Sequence, residues 1–134
     1  MQDFDYLKRS KEEISKCLNL FNSLNEKNAS SLLFHMKNSM LYIVDFVAQK
    51  HVDLLTELGE IRGKLSEVFG SDFFETYFLI DNLSKKELKF MGKNNILVKG
   101  KSSLKLEKEY LRGLLSKIIS YFNNIYSKVE ESEL

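Results

Sequence analysis

Two histidines, one cysteine and a dense run of lysines are the side chains of this 134-residue chain from which a site could be built. Catalysis at neutral pH draws on imidazole, an activated thiol, paired carboxylates or a bound metal. His35 and His51 stand sixteen residues apart in one helical stretch, too far for the adjacent-turn geometry of a zinc pair, and the chain has no HExxH, CxxC or Glu-x-x-His spacing. His51 precedes Asp53 by two residues, which puts the two on different sides of a helix. His35, between Phe34 and Met36, reads as a core-edge or interface residue. Cys17 falls in the helical stripe Ile14, Cys17, Leu18, Phe21 and reads as a buried structural thiol; as the single cysteine it permits no internal disulfide and fits a reducing compartment. Gly92 and Gly100 lack the spacing and the GKS or GKT of a phosphate loop, although Lys101 and Ser102 follow Gly100. No catalytic residue, metal site or cofactor is implied, and the chain reads as a binding protein more than an enzyme.

The lysines remain. Lys85 to Lys108 holds eight of them against Glu87 and Glu107, a net +6, while Val44 to Asp81 holds eight acidic residues against Lys50, Arg62 and Lys64, a net −5. A formal charge of +1 therefore hides a dipole. Lys85, Lys86, Lys89, Lys93, Asn94, Lys99 and Lys101 form the predicted nucleic-acid or nucleotide-binding set, with an acidic protein face as the other partner they suit. The plainer reading is a solvated surface whose lysines pair with Glu107 and Glu109. Three arginines in the whole chain, and only Phe90 among these lysines, argue against base stacking.

Apolar residues recur at three and four along most of the chain, which predicts helices. The spacing predicts a first helix from Tyr6 to Leu24, an unusually apolar and therefore central second one from Ser31 to Leu55, and a third from Glu57 to Phe69 ended by Gly70. A capping box of Asp72 and Glu75 opens a fourth from Phe73 to Asn82, and Ser84 with Glu87 opens a short one from Lys85 to Met91. Gly92 to Ser103 reads as a long loop anchored by Ile96 and Val98, in which Ile96, Leu97 and Val98 form at most a brief extended piece too short to support a sheet, and a last helix runs from Ser103 to Lys128. The expected fold is all-α, an antiparallel four-to-five-helix bundle in a single domain over residues 1–134. No apolar run approaches the length of a membrane span, so the expectation is a soluble cytoplasmic protein without a membrane partner. Ten phenylalanines, six tyrosines and four methionines exceed what a thin bundle needs. That surplus points to a homodimer, with Phe73, Phe74, Tyr77 and Phe78 as interface candidates.

This order of features resembles the HEPN superfamily, small helical domains of prokaryotic toxin–antitoxin and defence systems. The likeness spans Tyr6 to Val129 and rests on the first amphipathic helix, the apolar helix beginning SSLLFHMKNSMLYIVDFV, and LKFMGKNNILVKG before the terminal helix. In the family an arginine, a polar residue and a histidine at this junction form a metal-independent ribonuclease motif. Here the matching stretch is Lys93, Asn94 and Lys99, with no arginine between Gly63 and Tyr110 and no histidine after His51. Lysine keeps the charge without the guanidinium fork and is a poor acid or base near neutrality. The resemblance thus implies an inactive member that binds RNA, DNA, a nucleotide or a protein as a homodimer. The alternatives it leaves are a divergent ribonuclease using His35 or His51, and a structural subunit of a complex.

Overall fold

A computed structural model describes residues 5–50, 63, 66–100 and 102–130, with the side chains of residues 50 and 130 left aside. Helix α1 (Asp5–Asn22) turns Leu7, Ile14, Cys17 and Phe21 inward at the expected spacing. Helix α2 (Ala29–Lys50) is the central one: Leu32, Leu33, Met36, Met40, Ile43, Phe46 and Val47 are all fully buried. The polar break between them is knit by side chains. Asn25 Oδ1 accepts from the backbone N–H of Lys27 and Asn28 at 2.8 and 3.1 Å, and Asn28 Oδ1 accepts from Asn25 N–H at 2.8 Å. Local bonds of this kind let asparagine stop one helix and start another. Where α1 and α2 meet, Ser10 Oγ donates to the Ser39 carbonyl at 2.8 Å, which satisfies a hydroxyl with no solvent exposure.

Residues 66–69 are helical and Gly70, at φ 72°, ends that segment in the left-handed conformation that glycine tolerates. Most of the expected third helix, the end of the second, His51 and Lys101 lie outside the described residues. Helix α3 (Asp72–Ser84) follows, but its start differs from the expected capping box. Ser71 is the N-cap without a side-chain bond, and the Asp72 carboxylate instead accepts from Tyr121 Oη and from Lys117 Nζ at 3.1 Å. Both partners belong to α4 (Lys108–Glu130), so Asp72 fastens two helices together.

The all-α expectation is overturned. The residues read as a short helix, a loop and the start of the last helix form a three-stranded antiparallel sheet in the order β1 (Glu87–Met91), β2 (Asn95–Lys99), β3 (Leu104–Glu107). Two physical features outweigh the helical signals. Gly92 at φ 79° begins a three-residue turn that brings Met91 opposite Asn95. The apolar residues Leu88 and Phe90, Ile96 and Val98, Leu104 and Leu106 alternate at period two and sit opposite one another in the register. On their shared face Ile96 and Val98 are buried as the sequence implied, Leu88, Phe90 and Leu106 pack partly against the core, and Leu104 stays 55% exposed. Three strands with one packed apolar face are enough for a stable sheet. The Lys108 N–H donates to the Asn94 carbonyl at 2.7 Å, tying the turn to the start of α4 five residues later than expected.

Candidate functional site

Strand register decides where each lysine goes. Residues directly opposite in an antiparallel pair point to the same face. With Ile96 and Val98 inward, the outer face carries Lys89, Leu97 and Lys105 as one cross-strand row, and Glu87 opposite Lys99 as the next. All three lysines are exposed around a half-buried Leu97. At about 4.8 Å between strands, Lys89 and Lys105 are rooted about 9.6 Å apart. Neither has a carboxylate partner among the described residues. Lys99 Nζ lies 3.7 Å from Glu87 Oε1, an exposed pair of little energetic weight that a ligand can displace.

The other predicted site residues are distributed unevenly. Lys85 is engaged: its Nζ lies 3.1 Å from Asp81 Oδ2, while Lys37 Nζ donates to Asp81 Oδ1 at 2.7 Å. Hydrogen bonds from Lys37, then Lys85, hold the Asp81 carboxyl below its ordinary range. Lys86 is exposed and stands just past Lys85, the C-cap of α3. Lys93 and Asn94 occupy the turn, and Asn94 shares a shallow depression with Asn95, Glu107 and Glu109, where two carboxylates oppose phosphate. Lys93, in the turn before β2, and Lys99, at that strand's far end, are separated by the length of the strand, roughly 13 Å, so one chain does not bring this pair to a single phosphate. Lys105 was missed by sequence reasoning because it looked like part of a helix; period-two alternation through Leu104 and Leu106 was the signal that would have found it.

The aromatic candidates also separate. Phe73 is 1% exposed and packs against Phe69 and Tyr121 at ring-centroid distances of 5.0 and 5.2 Å, so it belongs to this chain's own core. Phe74 and Tyr77 are half-buried, and Phe78 is 49% exposed. His35 is held through Nδ1 by the nearly buried carboxylate of Glu13, a contact joining α2 to α1, and its ring lies edge-on to Phe34. Cys17 is fully buried, and burial, then the Glu13 charge, pushes its thiol up to about 12. A thiol in that state is no nucleophile. Among the described residues no cluster of three or more His, Cys, Asp or Glu is placed to hold a metal, and no helix is long and apolar enough to cross a membrane. No family model, curated protein or solved structure gives a match to this chain.

Proposed function

We propose that this chain is a non-catalytic binding module that holds nucleic acid through its phosphates, on the outer face of the β1–β3 sheet. The observation that carries the reading is the register that gathers Lys89, Lys99 and Lys105 around Leu97 on one exposed surface. Lysine binds phosphate as a flexible point charge, and only Lys99 is paired, weakly, with Glu87; Glu107 stands on the same face beyond Lys105 and confines the phosphate contact to the Leu97 end. No aromatic ring stands on that face, so the contact is to the backbone and indifferent to sequence. The HEPN resemblance belongs to this reading as an inactive, RNA-binding relative acting in the cytoplasm. A homodimer, with Phe74, Tyr77 and Phe78 as the accessible part of the aromatic set, would place two such faces on one particle.

Fluorescence anisotropy with a labelled single-stranded RNA tests the reading. Binding is expected at about 50 mM salt, with micromolar or weaker affinity and a slope of log K against log salt near −2 for three contacts at about 0.7 each. Absence of binding at that salt overturns it, and preference for an acidic protein over RNA moves the function to the partner class the same lysines also suit.

A further inference from the structure

A second concave surface lies on the other side of the sheet from the lysine row. Leu79 and Leu83 of α3, Val98 of β2, Leu104 and Leu106 of β3, and Tyr110 of α4 line a groove of about 460 Å³. That volume is within the usual range of small-ligand clefts, roughly 300–1,000 Å³. Three of its large apolar side chains remain open to solvent: Leu79 at 44%, Leu104 at 55% and Tyr110 at 39%. An apolar cleft left uncovered is unfavourable by itself, since each exposed side chain keeps apolar area in water that a bound apolar group would remove.

Its polar groups are one-sided. Lys86, Lys99, Asn82 and Ser102 complete the lining, with no carboxylate among them. Lys86 Nζ lies 3.7 Å from the point where a Cβ would stand on Gly100, so the missing side chain there leaves room for the ammonium at the groove's mouth. Lys86 has no ion-pair partner among the described residues, whereas Lys99 is drawn toward Glu87. An apolar wall ending at an unpaired cation is complementary to a molecule with an apolar body and an anionic head.

We propose that this groove binds a small amphipathic anion, an apolar chain or ring lying against Leu79, Leu104 and Tyr110 with its carboxylate or phosphate at Lys86. The site differs from the nucleic-acid face in using the inner side of β2 and β3 and Lys86, which precedes β1; Lys99 alone borders both. Ser102 and Asn82 are placed to add hydrogen bonds to the head group from the same rim.

Isothermal titration of the full chain with decanoate, decyl phosphate and decyltrimethylammonium tests this. Both anions are expected to bind, and the cation about tenfold or more weakly; the ratio of decanoate to decyl phosphate affinity tells which head group the site prefers. Lys86→Glu should lower anion affinity about tenfold and remove the preference over the cation, whereas Leu104→Asp should weaken all three. Both side chains are exposed, and unchanged circular dichroism and melting temperature verify that the variants fold. The double variant Lys89→Glu, Lys105→Glu, which removes two of the three outer-face lysines and neither lysine of the groove, should leave these titrations unchanged. Equal affinity for anion and cation, no binding of either anion, or anion affinity unaffected by Lys86→Glu would each overturn the proposal, with no bearing on whether RNA binds the outer face.

Discussion

Cys17, Asp72 and Glu13 show how differently single residues announce themselves. Cys17 was legible because Ile14 and Phe21, three and four residues away, are apolar and buried with it, whereas Leu18 of the same stripe turns out 46% exposed. With the thiol raised to about 12 and no exposed surface, a disulfide reagent such as DTNB at pH 8 should label the native protein only as fast as it unfolds, and denaturant should release one thiol at once. Immediate stoichiometric labelling of the folded chain would contradict the packing. Asp72 looked like a helix cap in sequence, but its role depends on Tyr121 and Lys117, which lie 49 and 45 residues away and leave no local trace. Those hydrogen bonds, Tyr121 first, hold its carboxyl low, as Lys37 and Lys85 do for Asp81. A depressed carboxyl stabilises the fold above its unfolded value, near pH 4, and the contribution is lost as pH falls through the lower native value. Urea unfolding followed from pH 5 to pH 2 should therefore show stability falling below about pH 4, with a smaller fall in Asp72→Asn. Because Asp72 is about half exposed, a double-mutant cycle with Tyr121→Phe should give a coupling of about 1 kcal/mol. Glu13 and His35 were equally hidden: neither position suggested that α1 and α2 would join through them.

At the scale of elements, the helices were readable and the sheet was not. The apolar residues of α1, α2 and α4 repeat over five or six turns, long enough for periodicity to dominate. Each strand has only four or five residues, so a period of two is sampled twice and competes with capping signals such as Ser84 with Glu87. Ser84 Oγ in fact donates to the Asp81 carbonyl at 2.7 Å, behaving as the end of α3 and not as the start of another helix. Ile96 and Val98 are legible as anchors without a strand assignment, because an apolar run of three in an otherwise polar segment has to be buried somewhere. Their contribution is separable from that of the lysines. Ile96→Ala should destabilise by about 2–4 kcal/mol in chemical denaturation, since Ile96 is 1% exposed and opposite both Phe90 and Leu106. Lys89→Glu and Lys105→Glu, on the opposite face, should each stay within about 0.5 kcal/mol. A large loss from either lysine would place it in the core and contradict the register.

For the whole molecule, the central claim is that one small sheet converts a lysine-rich sequence into a directed surface. In the helix that the capping signal at Ser84 and Glu87 predicts, Lys85 and Lys89 would stand one turn apart and Lys105 on another element. Instead the end of α3 pairs Lys85 with Asp81 one turn back, Lys86 stands at the inner groove, and the strands set Lys89, Lys99 and Lys105 together outside. Charge density was thus legible in the composition, and its direction was not, because direction depends on a register fixed by Gly92 and the inward apolar residues. Self-association is a separate question at this scale. Light scattering at micromolar concentration should give a dimer, and Phe78→Ser should shift it toward monomer without loss of helix, since Phe78 is half exposed whereas Phe73 is not. The most direct test of the central claim compares RNA affinity across a salt series for the wild type and the double variant Lys89→Glu, Lys105→Glu. Losing two of three lysine contacts should weaken binding for every sequence and reduce the salt slope from about −2 to about −0.7. An unchanged affinity and slope, with the variant still folded, would show that the outer face of the sheet is not where this chain meets nucleic acid.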